Sequence, residues 1–192
     1  MSNIRTFAIV ATIVAGVATR LFPGTLNLTA VGAVCLFSGV YLKRNYLAVL
    51  LPLVAYFVSD LIVNARYADQ FLWSFNGTSY LLFGLTVLMG VVIRQRPAAL
   101  RIATAGVLSA ALFFVVSNFM VWWDGEQTYP RTAAGLVECY VAAIPFAGNM
   151  LLGNLLYSAV IFGAWHYADQ AWPNPVEKPA DGARNVPATF SV

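Results

Sequence analysis

The sequence predicts an all-α membrane protein, a polytopic bundle of six transmembrane helices with both termini on the cytoplasmic side. Of its 192 residues, 60% are hydrophobic and only 10% are charged, a balance too apolar for an ordinary soluble domain. Several apolar runs approach the roughly 20 residues that the core of a bilayer requires. Lys and Arg are also distributed unevenly between alternate connections, which is the charge pattern that sets topology in membrane proteins.

Five apolar runs each predict one helix. The first, about 6–17, resembles the apolar part of a signal peptide, but we interpret it as a retained helix because further spans follow it. The other four runs are about 26–42, 46–63, 80–93 and 102–123.

The final apolar stretch, 133–167, is too long for one straight span at about 1.5 Å per residue. Proline interrupts the hydrogen-bond ladder of a helix. We therefore expect Pro145 to divide this stretch into a short interfacial or kinked segment and a sixth helix, about 148–166. The helices form one transmembrane domain, residues 1–170, and the polar residues 171–192 are expected to be a disordered cytoplasmic tail.

The positions of the basic residues predict the orientation. If the connections alternate from a cytoplasmic N-terminus, that side receives eight basic residues, namely Arg5, Lys43, Arg44, Arg94, Arg96, Arg101, Lys178 and Arg184. The opposite side receives three, which are Arg20, Arg66 and Arg131. Because cytoplasmic loops carry an excess of Lys and Arg, the pattern favours six spans with both termini inside.

Under this topology the distinctive polar residues fall outside the membrane or in its outer half. Polar and ionisable groups are costly in hydrocarbon unless they pair with one another or line a cavity. Trp, Tyr, Asn and Arg gathered at one face therefore predict a pocket that opens outward. The candidate ligand-binding residues are Arg20, Asn27, Asp60, Asn64, Asn118, Trp122, Tyr129, Arg131, Glu138, Tyr140 and Asn149.

The polar candidates on the third helix also have a structural interpretation. Asp60 and Asn64 share one helix face because they are four residues apart. That face can be directed at a ligand. Alternatively, an ion pair of Asp60 with Arg20 or Arg66 would lock neighbouring helices together, or Asp60 would lie at a solvated helix end. The two roles are compatible, because an ion pair can form the wall of a pocket.

The candidates near the last two helices have similar alternatives. Arg131 and Glu138 can hold the interfacial segment as a structural pair or capture a ligand. Trp122 can belong to an aromatic belt at the membrane interface, or it can favour a ring-bearing ligand by stacking. For Asn149 and Asn154 the default role is hydrogen bonding between helices.

No motif of nucleotide or metal chemistry is present. We find no nucleotide-binding glycine loop, no zinc motif and no nucleophile elbow. Cys35 and Cys139 have no metal-site spacing and lie in apolar runs, so a disulfide framework is not expected. The sequence therefore predicts a protein that is not an enzyme and has no cofactor or metal. It does not predict a nucleic-acid partner either, because a net charge of +3 is explained by topology.

The chain resembles a family of uncharacterised bacterial six-helix membrane proteins related to the substrate-binding S components of energy-coupling-factor (ECF) vitamin transporters. The resemblance covers roughly residues 5–168. The segments that carry it are Arg20-Leu-Phe-Pro, Asn27-Leu-Thr-Ala-Val-Gly-Ala, Leu36-Phe-Ser-Gly-Val-Tyr, Pro52 through Ser59-Asp60-Leu, Ser117-Asn-Phe-Met-Val-Trp, Tyr129-Pro-Arg-Thr, Gly135-Leu, Cys139-Tyr, Pro145-Phe-Ala-Gly-Asn and Gly153-Asn-Leu-Leu-Tyr.

The resemblance implies the S-component fold in a bacterial inner membrane, with a pocket that opens outward between helices and loops. In S components a small-residue face on the first helix docks against a transmembrane coupling subunit that works with ATPases. Ala11 and Ala15 match that pattern. The partners implied are a small-molecule ligand, membrane lipid and such a coupling subunit.

Two hypotheses for the function follow. The first is capture of a vitamin-like small molecule or micronutrient for uptake. It predicts an outward cavity with Asp60 in its wall, lined by Asn118, Trp122, Tyr129, Arg131 and Asn149. The alternative is a non-transporting structural or accessory subunit of a membrane complex. It predicts an outer half that is fully packed, in which the charged residues pair with one another; these are Arg20, Asp60, Arg66, Arg131 and Glu138.

Overall fold

A computed structural model describes residues 3–22, 28–67, 76–124 and 128–171, and all regular secondary structure in these ranges is helical. The elements are α1 (Asn3–Ala18), a 3₁₀ turn (Thr19–Leu21), α2 (Val31–Tyr41), α3 (Asn45–Tyr67), α4 (Gly77–Ile93), α5 (Ala99–Asp124) and α6 (Ala133–Ala171). The predicted all-α class with six α-helices is therefore confirmed. The predicted tail lies outside the described residues except for residue 171, which ends α6.

Four of the six helices are long and apolar enough to cross a membrane, which indicates a membrane protein. These are α1 together with its 3₁₀ turn, α3, α5 and α6. The apolar helix α2 has only 11 residues and begins at Val31, later than the sequence predicts. At about 1.5 Å per residue its length is about 16 Å, roughly half of a hydrocarbon core. Helix α4, with 17 residues, is also shorter than a full span.

The prediction that Pro145 divides the last apolar stretch is wrong. Helix α6 is continuous over 39 residues and includes Pro145. A proline removes one backbone donor, but the hydrogen bonds of the adjoining turns can continue on both sides of it. Pro145 lies on the exposed face of α6, where its ring is not forced into a packed neighbour. The helix is about 58 Å long, so it extends beyond the hydrocarbon core or crosses it at a tilt.

Side-chain contacts identify which helix ends lie together. The start of α1 meets the end of α6 through an ion pair between Arg5 Nη2 and Asp169 Oδ1 at 2.9 Å. Trp165 of α6 packs on Tyr41 at the end of α2, with ring centroids 5.3 Å apart. We call this the basic end. Its basic residues in the described part of the chain are Arg5, Lys43, Arg44, Arg94, Arg96 and Arg101.

The opposite end of the bundle joins the end of α1 to α3 and α4. Arg20, in the 3₁₀ turn, forms an ion pair with Asp60 of α3 at 2.7 Å. Tyr80 at the start of α4 donates to the same carboxylate. We call this the Arg20 end, and Arg20, Arg66 and Arg131 are its basic residues. The chain thus alternates between the two ends as the charge pattern predicts, while the cytoplasmic location of the basic end stays a prediction.

Helix α2 forms the centre of the bundle. Its residues from Val31 to Val40 are all buried, and it contacts each of the other five helices. Helix α1 packs against this core through Ile9, Ile13 and Val17, which are spaced by four residues and lie on one face. Large apolar side chains on the outer faces remain exposed, as expected for a lipid-facing surface; examples are Phe7, Leu50, Leu88, Val115 and Leu152.

Arg94 closes the C-terminal end of α2. Its Nε donates to the Gly39 carbonyl oxygen at 2.8 Å, and its Nη2 donates to that of Leu42 at 2.7 Å. The last carbonyl groups of a helix have no partner within the helix. Arg94 therefore supplies hydrogen-bond donors to the carbonyl groups at the end of a buried helix. It has this structural role in addition to being one of the charges that set the topology.

Glycines allow α2 and α4 to approach very closely. A Cβ atom added to Gly39 would lie 2.2 Å from the Val87 carbonyl oxygen, and one added to Gly90 would lie 2.3 Å from that of Leu36. Both obstructing atoms belong to the backbone, so neither can move aside by changing a rotamer. Gly84 on α4 is different, because a Cβ there would meet nothing within 4 Å.

Substitution of these glycines tests the α2–α4 contact. Gly39→Ala should destabilise the protein by about 1–3 kcal/mol, the usual cost of overpacking. The matched variant Gly84→Ala should be neutral or stabilising by up to about 1 kcal/mol, because alanine favours helix more than glycine does. Unfolding of the purified protein in detergent measures both. Equal stability of the two variants would contradict the close approach.

Candidate functional site

Arg20 and Asp60 form the centre of a polar network at the Arg20 end. Arg20 Nη2 lies 2.7 Å from Asp60 Oδ1, and Nη1 donates to Ser59 Oγ at 2.8 Å. The second carboxylate oxygen of Asp60 accepts from the Tyr80 hydroxyl at 3.0 Å. The guanidinium also lies over the Tyr56 ring, 4.1 Å from its centroid. Both charges are mostly shielded from solvent, with 19% and 15% of their side chains exposed, so each compensates the other.

A cavity of about 190 Å³ lies beside this network, at the N-terminal end of α2. Residues from the 3₁₀ turn and from α2, α3, α4, α5 and α6 contribute to its wall. Its lining consists of Arg20, Thr29, Val31, Gly32, Tyr56, Ser79, Phe83, Ser109, Phe113, Met150 and Asn154. We call it the polar cavity, because its lining includes a guanidinium, four side chains with a hydroxyl group and an amide, among aromatic and apolar groups.

The start of α2 contributes backbone donors to the polar cavity. The first N–H groups of a helix have no partner within the helix, and they carry the positive end of its dipole. The preceding residue, Ala30, provides no side-chain cap. Its own N–H donates to Thr19 Oγ1 at 3.0 Å, which fixes the approach of the chain to α2. Val31 and Gly32, in this first turn, both line the cavity.

Asn154 contributes an acceptor on the opposite wall. Its side chain is 4% exposed, and its Nδ2 donates to the Gly106 carbonyl oxygen at 3.3 Å. This contact confirms the predicted hydrogen bond between helices. The Oδ1 atom lies against Gly32, where an added Cβ would be 2.1 Å away. No group in the described ranges donates a hydrogen bond to this Oδ1.

Two of the predicted ligand-binding residues belong to this site. Arg20 lines the cavity directly. Asp60 is not in the wall itself but holds Arg20 in position. Asn64, one turn further along α3, is half-buried. Asn27 lies outside the described residues.

The other predicted residues lie apart from the polar cavity, at the connection between α5 and α6. Trp122 Nε1 donates to the Pro130 carbonyl oxygen at 3.0 Å, and Arg131 Nη2 donates to that of Trp123 at 2.9 Å. The Arg131 guanidinium also lies 5.5 Å from the centroid of the Trp123 ring. These contacts fasten the two helix ends to each other.

Tyr140 and Asn118 also form hydrogen bonds within this pair of helices. The Tyr140 hydroxyl of α6 donates to the Val115 carbonyl oxygen of α5 at 2.7 Å. Asn118 Nδ2 donates one turn back along its own helix, to the Phe114 carbonyl oxygen at 2.7 Å. Cys139 Sγ contacts the Asn118 carbonyl oxygen at 3.4 Å.

The last three candidates, Tyr129, Glu138 and Asn149, are likewise not among the residues that line the polar cavity. Glu138 is exposed, whereas Tyr129 and Asn149 are half-buried. The expected pair of Glu138 with Arg131 is not one of the ion pairs between described residues, which are Arg5–Asp169 and Arg20–Asp60. None of the five residues predicted to line an outward cavity therefore lines the polar cavity.

Sequence reasoning missed several lining residues: Thr29, Gly32, Tyr56, Ser79, Phe83, Ser109, Phe113 and Met150. Single hydroxyl residues in apolar helices usually bond to their own backbone or to a neighbouring helix. Ser109 does so, since its hydroxyl is 2.6 Å from that of Thr86. Only the packing of the helices shows that its side chain also reaches a cavity.

The candidate docking residues on α1 are exposed. Ala11 and Ala15 lie on the outer face of the helix, whereas Ile9, Ile13 and Val17 pack inward. Internal packing therefore does not use the small-residue face. Its role in docking a coupling subunit stays a prediction.

No cluster of three or more His, Cys, Asp or Glu side chains suited to a metal ion occurs within residues 3–22, 28–67, 76–124 and 128–171. Cys35 and Cys139 are both buried and free. The groups available at the site are a guanidinium donor, hydroxyl groups that can donate or accept, an amide acceptor and aromatic surfaces. This arrangement can bind a small molecule that has a hydrogen-bonding group and a flat apolar part.

Comparison with known proteins gives a family but no activity. No curated protein and no solved structure matches the chain. A family model matches residues 1–176, which is most of the chain. The protein therefore belongs to the family that this model describes, a family of unknown function (DUF6580).

Proposed function

We propose that this protein captures a vitamin-like small molecule or another micronutrient from the outer side of the membrane for uptake, in the manner of an S component. The observation that carries the proposal is the polar cavity. Its wall contains residues of five helices and of the turn that follows α1. A polar cavity inside an apolar bundle marks a functional site by default, because ionisable and polar groups in a membrane are costly.

The chemistry of the cavity supports a ligand with a hydrogen-bonding edge. Arg20 and the first-turn N–H groups of α2 are donors, and the Oδ1 of Asn154 is an acceptor that the described protein leaves unused. A ligand with both a donor and an acceptor could therefore form hydrogen bonds with these groups. Phe83 and Phe113 supply flat apolar surfaces against which a ring could pack.

The volume of the cavity limits the ligand. Pockets for drug-sized molecules usually enclose about 300–1,000 Å³. The polar cavity, at about 190 Å³, is smaller. In this conformation the site therefore suits a compact ligand, and a larger vitamin would require the helices around it to separate.

The resemblance to S components supports the uptake part of the proposal. Such proteins rely on a separate energising module, and this sequence contains no ATP-binding motif. The exposed Ala11 and Ala15 on α1 offer a face that a transmembrane coupling subunit could approach closely. We propose the bacterial inner membrane as the location, with the basic end in the cytoplasm and the polar cavity nearer to the outer side.

A second candidate is a non-transporting structural or accessory subunit. It is favoured by the contacts of the basic residues at the Arg20 end. Arg20 pairs with Asp60, Arg66 donates to the Leu21 carbonyl oxygen at 3.1 Å, and Arg131 donates to Trp123. These contacts match an ion-pair and hydrogen-bond clamp that stabilises the bundle.

Ligand capture predicts a small molecule that copurifies with the protein. Met150→Trp places a larger side chain in the cavity wall and should lower the occupancy of that molecule at least about tenfold. Leu152→Trp adds the same side chain to the exposed face of the same helix, so its occupancy should equal that of the wild type. Mass spectrometry of extracts from the purified proteins measures both.

Stability in detergent shows whether Met150→Trp is folded. If it is not, Thr29→Val replaces the cavity-filling variant, because it removes one lining hydroxyl at nearly constant size. Replicate preparations that carry only lipid, or equal occupancy in Met150→Trp and Leu152→Trp, would contradict capture in the polar cavity.

The clamp predicts strong coupling between Arg20 and Asp60. Arg20→Gln and Asp60→Asn should each destabilise the protein by about 2–4 kcal/mol, somewhat less than for a fully buried pair. The free energy of unfolding of the double variant should fall by at least about 1 kcal/mol less than the sum of the losses in the two single variants. Unfolding in detergent gives the free energies, and Arg66→Gln, at an exposed site, should cost no more than about 1 kcal/mol. Additive effects at Arg20 and Asp60 would show that the pair does not act as a clamp.

A further inference from the structure

Two apolar grooves flank the start of α5 at the basic end. The groove between α5 and α6 has a volume of about 680 Å³. Its lining is Tyr41, Pro97, Ala98, Ala99, Ile102, Ala103, Leu155, Ser158, Ala159, Phe162, Gly163 and His166. The groove between α4 and α5 has a volume of about 410 Å³ and is lined by Met89, Val92, Ile93, Leu100, Arg101, Thr104, Ala105 and Leu108. The first turns of α5 form the ridge between them.

Positive charge is concentrated on this ridge. Arg96 precedes α5, Arg101 lies in its first turn, and both are exposed. Arg101 Nη1 donates to the Arg96 carbonyl oxygen at 3.4 Å, and neither guanidinium pairs with a carboxylate of the described residues. The first turn of α5 contains no acidic residue, so its N–H groups also favour an anion. Asp169, the described carboxylate at this end, is already paired with Arg5.

A buried hydroxyl without a partner lies in the wall of the α5–α6 groove. Ser158 is 4% exposed, and its Oγ forms no hydrogen bond. A helical serine commonly donates to the carbonyl four residues earlier, but Ser158 does not. Its hydroxyl therefore needs an acceptor that the described protein does not supply.

We infer that the start of α5 binds an anionic diacyl phospholipid. The phosphate lies between Arg96 and Arg101 at the first turn of the helix, and one acyl chain occupies each groove. An ester carbonyl oxygen accepts the hydrogen bond from Ser158. Basic pockets between transmembrane helices bind anionic headgroups in this way. A single partner helix cannot fill both grooves, because the ridge of α5 separates them.

The charge requirement is tested with two lipids that share their chains. Full-length protein, stripped of lipid in detergent, is titrated with dioleoylphosphatidylglycerol or dioleoylphosphatidylcholine and followed by native mass spectrometry. The anionic lipid should bind more tightly. Arg96→Gln and Arg101→Gln should each weaken its binding about fivefold and leave the zwitterionic lipid nearly unaffected. Equal binding of the two lipids to the wild type would overturn the inference.

The position of the chain is tested on α6, where two glycines have open space for a side chain. Gly163→Leu fills the α5–α6 groove and should weaken the binding of both lipids about tenfold. Gly148→Leu adds the same side chain outside the groove and should bind like the wild type. Unchanged lipid binding in Gly163→Leu would show that no acyl chain occupies the groove. If Gly163→Leu instead lowered the fraction of dimer and left lipid binding unchanged, a second copy of the chain would be the occupant, and the proposal would be overturned.

Ser158→Ala separates lipid binding from structural effects because the two readouts move in opposite directions. Removal of an unpartnered buried hydroxyl should raise the thermal stability of the lipid-free protein. The same change should weaken the anionic lipid about threefold, since the ester carbonyl loses its donor. Lower stability together with unchanged lipid affinity would show that Ser158 does not face the lipid.

Discussion

The bundle depends on satisfying the backbone hydrogen bonds at the ends of α2, a short helix buried at its centre. Arg94 does this at one end, because its side chain extends from the end of α4 to the last carbonyl groups of α2. Helix α2 is about half as long as a hydrocarbon core is thick. Both of its ends must therefore find hydrogen-bond partners inside the protein. Arg94 provides them at the C-terminal end. At the N-terminal end the Thr19 hydroxyl receives the N–H of Ala30, and the first turn beyond it faces the polar cavity.

The short central helix explains where the bundle has room for a site. Longer helices surround α2 and continue past its N-terminus, so their side chains enclose the space above it. Arg20 enters this space from the turn after α1, and Asp60 and Tyr80 fix its position from two other helices. The proposed capture site and the proposed clamp therefore share one network, because the ion pair that joins α1 to α3 also orients a donor towards the cavity. The proposed lipid site uses different residues at the other end of the bundle.

Particular residues show how far the sequence could predict this site. Arg20 and Asp60 could be found, since charges in apolar surroundings require a partner or a ligand. Trp122 and Arg131 were predicted as ligand-binding residues because aromatic and basic side chains are also typical of a binding site. In the structure, however, both donate their hydrogen bonds to carbonyl groups at the α5–α6 connection. Thr29, Ser79 and Met150 gave no signal, because each resembles an ordinary residue of a membrane helix. Pro145 misled the prediction for α6, since one missing donor does not end a helix whose neighbouring turns are intact.

The sequence by itself determined the all-α class, the six helices of the described residues and the alternation of charge between the two ends. These features depend on composition and on apolar runs, which act locally along the chain. Only the tertiary structure decided that α2 is short and central, that Gly39 and Gly90 bring it against α4, and that a cavity opens at its N-terminus. The physical reason is that a cavity is space that packing leaves unfilled, and its lining comes from residues far apart in sequence. The same packing decided that Ser158 has no partner and that two grooves flank α5.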